Sequence, residues 1–219
     1  MKSTHVNNNH WNTLASIRHH MYEYLLVFSC DQITETIIMS FKEYFERQYG
    51  CQQAAKLRPH LTLFNCVINE SKIDPIIQAC TKIARHTKPM KMELDGFDNF
   101  EHGTMYIGVE KKVSRQILTL VAALKARTGE HVRRWSPGEN KFCATPHITI
   151  AKSMTDEQME NAKREWKPRK FNTTTYVNEI TLLRRSLLKG SRYEVVQRFP
   201  LLGLPEDPYI QGSLFPDTP

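Results

Sequence analysis

One phrase occurs twice in the 219 residues, as Pro59-His60-Leu61-Thr62-Leu63 and as Pro146-His147-Ile148-Thr149-Ile150. Polar and apolar residues alternate in each copy, and a period of two is the mark of a strand buried on one face. The leading proline lacks an N–H donor and is tolerated at a strand start. His60 and Thr62 therefore project to one face, as do His147 and Thr149, while the Leu and Ile residues enter a core behind. A lone His-x-Thr means little. Two copies, each preceded by Pro and with apolar residues at both intervening positions, point to an internally duplicated fold.

The flanking elements repeat in the same sense. Residues 22–29 form a short apolar run of strand length, and Asp31 is a helix N-cap. Ile33, Ile37, Ile38, Phe41, Tyr44 and Phe45 recur at helical spacing until Gly50. Residues 60–68 read as a strand, 72–86 as a helix, and 90–98 and 104–110 as strands joined near Gly103. A helix follows Ser114 and ends before Gly129, after which residues 130–141 read as a loop. Residues 144–151 form a strand, and Thr155 with Gln158 is a capping box opening a helix to Trp166. Residues 173–183 and 193–199 are the last strands. The expected architecture is α+β: a bilobal domain over 21–202, with a loose arm at 1–20 and a Pro-rich tail from 203 to 219.

The formal charge is +7, and between residues 163 and 192 there are nine Lys or Arg against two Glu. A local basic surface suits a phosphate-bearing partner, and a solvated face is the plainer alternative. The five cysteines are odd in number and form no C-x-x-C pair, which argues against a disulfide framework or zinc knuckle and for a reducing, cytoplasmic setting. No apolar run reaches the roughly 20 residues that cross a bilayer, and the N-terminus carries no secretory h-region.

If the two lobes face each other, their cleft receives two imidazoles and two hydroxyls. One imidazole can take a proton from an attacking water while the other protonates the departing oxygen, and the hydroxyls can hold the non-bridging oxygens of a phosphate. Neither a cofactor nor a metal is needed for that chemistry. A two-histidine metal site is the rival reading, and it lacks a third-ligand pattern.

At these residues the chain resembles the two-histidine (2H) phosphoesterase superfamily, in particular its 2′-5′ RNA ligase-like, or RNA 2′,3′-cyclic phosphodiesterase, branch. The resemblance covers most of residues 22–202. It implies two antiparallel-rich sheets with flanking helices around a central cleft, one motif per lobe, and pseudo-twofold symmetry. It also implies metal-independent hydrolysis of 2′,3′-cyclic phosphates to 2′-phosphates, with cleavage of 2′-5′ linkages or reverse ligation in related members. Near the C-terminus, residues 180–183, Ser186, Leu188, Gly190, Tyr193 and Pro200-Leu201 look like the family's closing segment. Two departures stand out. Ala151 is followed by Lys152 where the branch often has Arg, which keeps the charge but loses the bidentate fork. The first motif is followed directly by Phe64, not by an aromatic one residue further on.

The resulting expectations are specific. His60 and His147 share the catalytic roles, with His60 as acid, and Thr62, Thr149 and Lys152 bind the phosphate. Phe64 shares the face of His60 and Thr62 and either stacks on a base or packs into the core, and Trp135, flanked by Arg133 and Arg134, either closes over the substrate or anchors its loop on the body of the domain. Arg184 and Arg185, with Lys189 and Arg192, form an RNA-binding rim or an ordinary solvated face, and Tyr193 contacts phosphate or base or has a structural role. Cys143 near His147 lacks the geometry of a nucleophile. Partners are RNA ends, small oligonucleotides or nucleotides, with no membrane and no obligatory protein partner. A module that holds RNA ends without turnover, or a phosphodiesterase for 2′-5′ oligoadenylates, are the alternatives.

Overall fold

The computed structural model describes residues 20–51, 57–136, 138, 140–188 and 190–205. Among them are four α-helices and nine strands, and every strand pairing is antiparallel. In chain order these are β1 (Met21–Ser29), α1 (Gln32–Tyr49), β2 (His60–Asn69), α2 (Asp74–His86), β3 (Met90–Phe100) and β4 (Thr104–Val109). Then follow α3 (Lys111–Trp135), β5 (Asn140–Phe142), β6 (His147–Ala151), α4 (Asp156–Trp166), β7 (Asn172–Val177), β8 (Glu179–Ser186) and β9 (Glu194–Pro200).

The strands lie side by side as β7-β3-β4-β6-β2-β1-β8-β9, with β5 also pairing β2. The two sheets expected from the sequence are thus halves of one curled sheet, joined where β6 meets β2 at the pair Leu61 and Ile148. The halves correspond: β6-β4-β3-β7 on one side matches β2-β1-β8-β9 on the other. The helices follow the same symmetry. α1 leaves β1 and packs on β6 and β7 of the opposite half, and α3 leaves β4 and packs on β2 and β5 of the first. α2 then returns to β8 and β9, and α4 to β3.

Local chemistry accounts for the helix ends. Asp31 caps α1 by accepting from the Thr34 N–H, and Gly50 closes it at φ 69°. Thr155 and Gln158 form the reciprocal capping box of α4. α3 departs from expectation. It begins at Lys111, capped by the Glu110 carboxylate, and runs through Gly129 to Trp135. Thr128 and Val132 lie buried on its inner face, so packing across the last turns outweighs the roughly 1 kcal/mol that a mid-helix glycine costs. The expected strand over 173–183 is two strands, because Asn178 carries the chain from β7 in one half to β8 in the other. At the expected tail, Leu202, Gly203 and Leu204 donate backbone hydrogen bonds to Ala84, Thr87 and Arg85, which ties residues up to 204 onto the end of α2. Residues 1–19 and 206–219 lie outside the described residues. No described helix is long and apolar enough to cross a membrane, and all five cysteines are free thiols.

Candidate active site

β2 and β6 lie next to each other at the centre of the sheet, and the Leu61–Ile148 pair sets their register. Both of those side chains are fully buried among the helices. Continuing the antiparallel register by one residue sets Thr62 opposite His147 and His60 opposite Thr149, all four on the other face. The two histidines are therefore diagonal neighbours, a relation that spans roughly 7–8 Å across strands.

Each motif carries a second shared feature. β2 skips a residue against β1 after Thr62, and β6 skips one against β4 after Thr149, so Leu63 and Ile150 are extra residues in their ladders. A bulge bends the strand and re-aims the side chains beyond it. Its first consequence is Phe64. Strict alternation would place that ring beside Thr62, but the bulge turns it to the helix side, where it is fully buried 4.5 Å from the ring of Phe142. Phe64 packs the core and is not available to stack on a base. Asn65 takes the place on the site face instead, and by the symmetry of the motifs it corresponds to Lys152.

The imidazoles are held alike. His60 Nδ1 lies 2.8 Å from the Arg58 carbonyl, and His147 Nδ1 lies 2.6 Å from the Thr145 carbonyl. A carbonyl oxygen only accepts, so in both rings Nδ1 carries the hydrogen and Nε2 is the nitrogen left for chemistry. Both rings are half-buried, and burial pushes both pKa values below the ordinary histidine range. For His60 the positive charges of Lys42, His147 and Lys152 act in the same direction, against the hydrogen bond to Arg58. His147 has instead an aromatic wall: Phe100 meets it edge-on at 4.9 Å and Tyr106 lies at 5.1 Å, with the Tyr106 hydroxyl directed to Asp98.

Lys152 is exposed immediately after β6 and acts electrostatically on His60. Four further expectations fall elsewhere. Trp135 ends α3, with the Lys72 ammonium 4.5 Å from its ring, and the adjacent Ser136 hydroxyl accepts from the Val67 N–H near the far end of β2. Arg184 pairs across β1 with Tyr24, which faces Cys66, six residues beyond His60 and so roughly 20 Å along the strand. It lies on the helix face and is neutralised by Glu194 at 2.6 Å and Glu70 at 3.5 Å. Arg185 shares the site face but is bound to Glu23 and stacked over Tyr193, whose own hydroxyl also meets Glu23. Arg184 and Arg185 are thus paired with carboxylates, while Arg192 of the expected rim is exposed between β8 and β9. Much of the basic run from 163 onward is likewise paired, as Lys163–Glu160, Lys167–Asp98 and Arg169–Glu165. Lys189 lies outside the described residues.

The residues that sequence reasoning missed are Lys42, Asn65, Phe100 and Tyr106. Only Lys42 left a readable trace, as a lysine on the apolar stripe between Ile38 and Phe45. Among the described residues no group of three or more His, Cys, Asp or Glu is placed to hold a metal ion.

The family described as the 2′-5′ RNA ligase superfamily matches residues 30–187, a span that contains both histidine motifs. The chain belongs to this superfamily. Its fold matches Escherichia coli LigT crystallised with 3′-AMP at a TM-score of 0.60 and 16% identity, over 83% of this chain and 98% of that one. TT0787 of Thermus thermophilus matches at a TM-score of 0.59 and 20% identity, over 83% and 98% of the respective chains. Among curated proteins none matches in sequence. The superfamily's α+β fold, a curled antiparallel sheet flanked by helices, is the fold found here, and its members are two-histidine phosphoesterases and RNA ligase-like enzymes.

Proposed function

We propose that the protein is a phosphodiesterase that opens 2′,3′-cyclic phosphates of RNA ends or nucleotides, leaving a 2′-phosphate. The observation that carries this reading is the matched pair of imidazoles, each with Nδ1 fixed by a backbone carbonyl and Nε2 free, on one diagonal of one sheet face. Water attacks phosphorus, one Nε2 takes its proton, the P–O3′ bond breaks, and the other Nε2 protonates O3′. The Thr62 and Thr149 hydroxyls and the Lys152 ammonium hold the non-bridging oxygens as charge shifts onto them.

The cations around His60 favour the reverse of the role expected from the sequence. Lys42 and Lys152 oppose a proton on His60, which suits the base, and the donor's role then falls to His147. A nucleotide phosphate as substrate is in keeping with LigT, which has been crystallised with 3′-AMP and with ATP.

The test is hydrolysis of 2′,3′-cyclic AMP in the presence of EDTA, followed by 31P NMR. We expect 2′-AMP, and a loss of roughly 10²–10⁴-fold in rate for either His60→Ala or His147→Ala with the fold retained. Binding without product would identify a module that holds RNA ends. Running 2′-5′ and 3′-5′ dinucleotides and 2′-5′ oligoadenylate alongside fixes the preferred linkage. A folded His60→Ala/His147→Ala protein with full activity would refute the assignment.

A further inference from the structure

α1 carries a residue that its amphipathic pattern does not explain. Lys42 lies on the inner stripe between Ile38 and Phe45 and is 3% exposed. An ammonium is not buried without hydrogen bonds to compensate for lost water. Its Nζ donates to the Leu57 carbonyl at 2.8 Å. Two turns earlier on the same helix, Glu35 receives the Arg58 guanidinium at 3.2 Å. Two consecutive residues at the entry to β2 are thus held by one helix, and the carbonyl of the second is the one that accepts the hydrogen bond from the His60 Nδ1–H.

We propose that Lys42 is the positioning residue of His60: through the Leu57 carbonyl it fixes the strand entry, and so the Arg58 carbonyl that decides which His60 nitrogen carries the hydrogen. The same lysine contributes its charge. Among the described residues, the charged groups acting on Lys42 include Cys30 from the β1–α1 connection, Glu35 from α1 and Lys152 from the end of β6, and those acting on His60 include Lys42, Lys152 and His147. Burial brings the Lys42 ammonium down to about 8, so it remains mostly protonated at neutral pH. Its charge opposes a proton on His60, and removing it lets His60 hold that proton to higher pH.

The proposal takes from the proposed function the view that His60 reacts, but the ring can be followed without turnover. In histidine-labelled protein, 15N NMR reads the tautomer and titration of each ring. Lys42→Met keeps the length of the side chain and removes its charge and donors. It is expected to mix the His60 tautomers and move the His60 titration to higher pH, leaving His147 in place. On a cyclic nucleotide we expect kcat to fall roughly tenfold with KM within about twofold, and the acid limb of the pH profile to move up with His60. Lys42→Arg, which retains charge and donors, is expected to restore the single tautomer. Should Lys42→Met not fold, Lys42→Gln carries the same measurement.

A folded neutral variant whose His60 keeps one tautomer and its wild-type titration overturns the proposal, even if its melting temperature drops. An inactive wild-type protein would count against the proposed function alone, because the NMR outcome still decides the role of Lys42.

Discussion

A histidine ring that faces a carbonyl through Nδ1 gives up one of its two tautomers, and here two rings do so in the same way. The duplicated phrase showed the residue pairs, but not the carbonyls of Arg58 and Thr145 that orient them. Both rings titrate below the unfolded value of about 6.5. Between the folded and unfolded values the unfolded chain binds more protons, so stability rises with pH through that window and is lost as pH falls from about 6.5. Urea midpoints at pH 7.5 and 5.5 test this, and the drop on acidification should be smaller in a His60→Gln/His147→Gln protein. Asp31 and Asp98 are held below the usual carboxylate range, so their contribution is lost at lower pH and does not mimic the effect.

At the scale of elements, a strand's alternation is reliable only until its ladder gains a residue. The bulge after Thr62 sends Phe64 into the core, and no local signal in Leu63 or Phe64 reveals it, because which residue is extra depends on pairing with β1. The turn between β3 and β4 was legible from Gly103. That glycine sits at φ 69°, and a Cβ there would come within 2.4 Å of the Met154 carbonyl oxygen. Gly103→Ala should therefore lower stability by roughly 1–3 kcal/mol and disturb the hairpin beside Phe100, which thermal denaturation with activity on a cyclic nucleotide will read. The capping box at Thr155 was likewise legible, and Thr155→Ala should cost about 1 kcal/mol, measured from urea midpoints.

For the whole molecule, the crossing of α1 and α3 onto opposite halves makes each half depend on a helix supplied by the other. The halves should unfold together, despite meeting at one paired position between β2 and β6. Trp166 is buried in the aromatic cluster with Phe41, Phe45 and Phe97 in one half, and Trp135 marks the other. In single-tryptophan variants retaining either residue, fluorescence should follow the same urea transition as far-ultraviolet circular dichroism. Two separated transitions would show the halves to be independent.

The amino-acid sequence by itself determined the duplicated strands, the pairing of His with Thr on one face, the caps of α1 and α4, and the superfamily, because period-two patterning and capping act between near neighbours along the chain. Only the tertiary structure decided that the two lobes share one sheet, that Phe64 is core, that Arg184 and Arg185 are spent on Glu23, Glu70 and Glu194, and that Lys42 stands behind His60. Each of those depends on strand register and on contacts between residues far apart in sequence, whose energies exist only once the chain has folded.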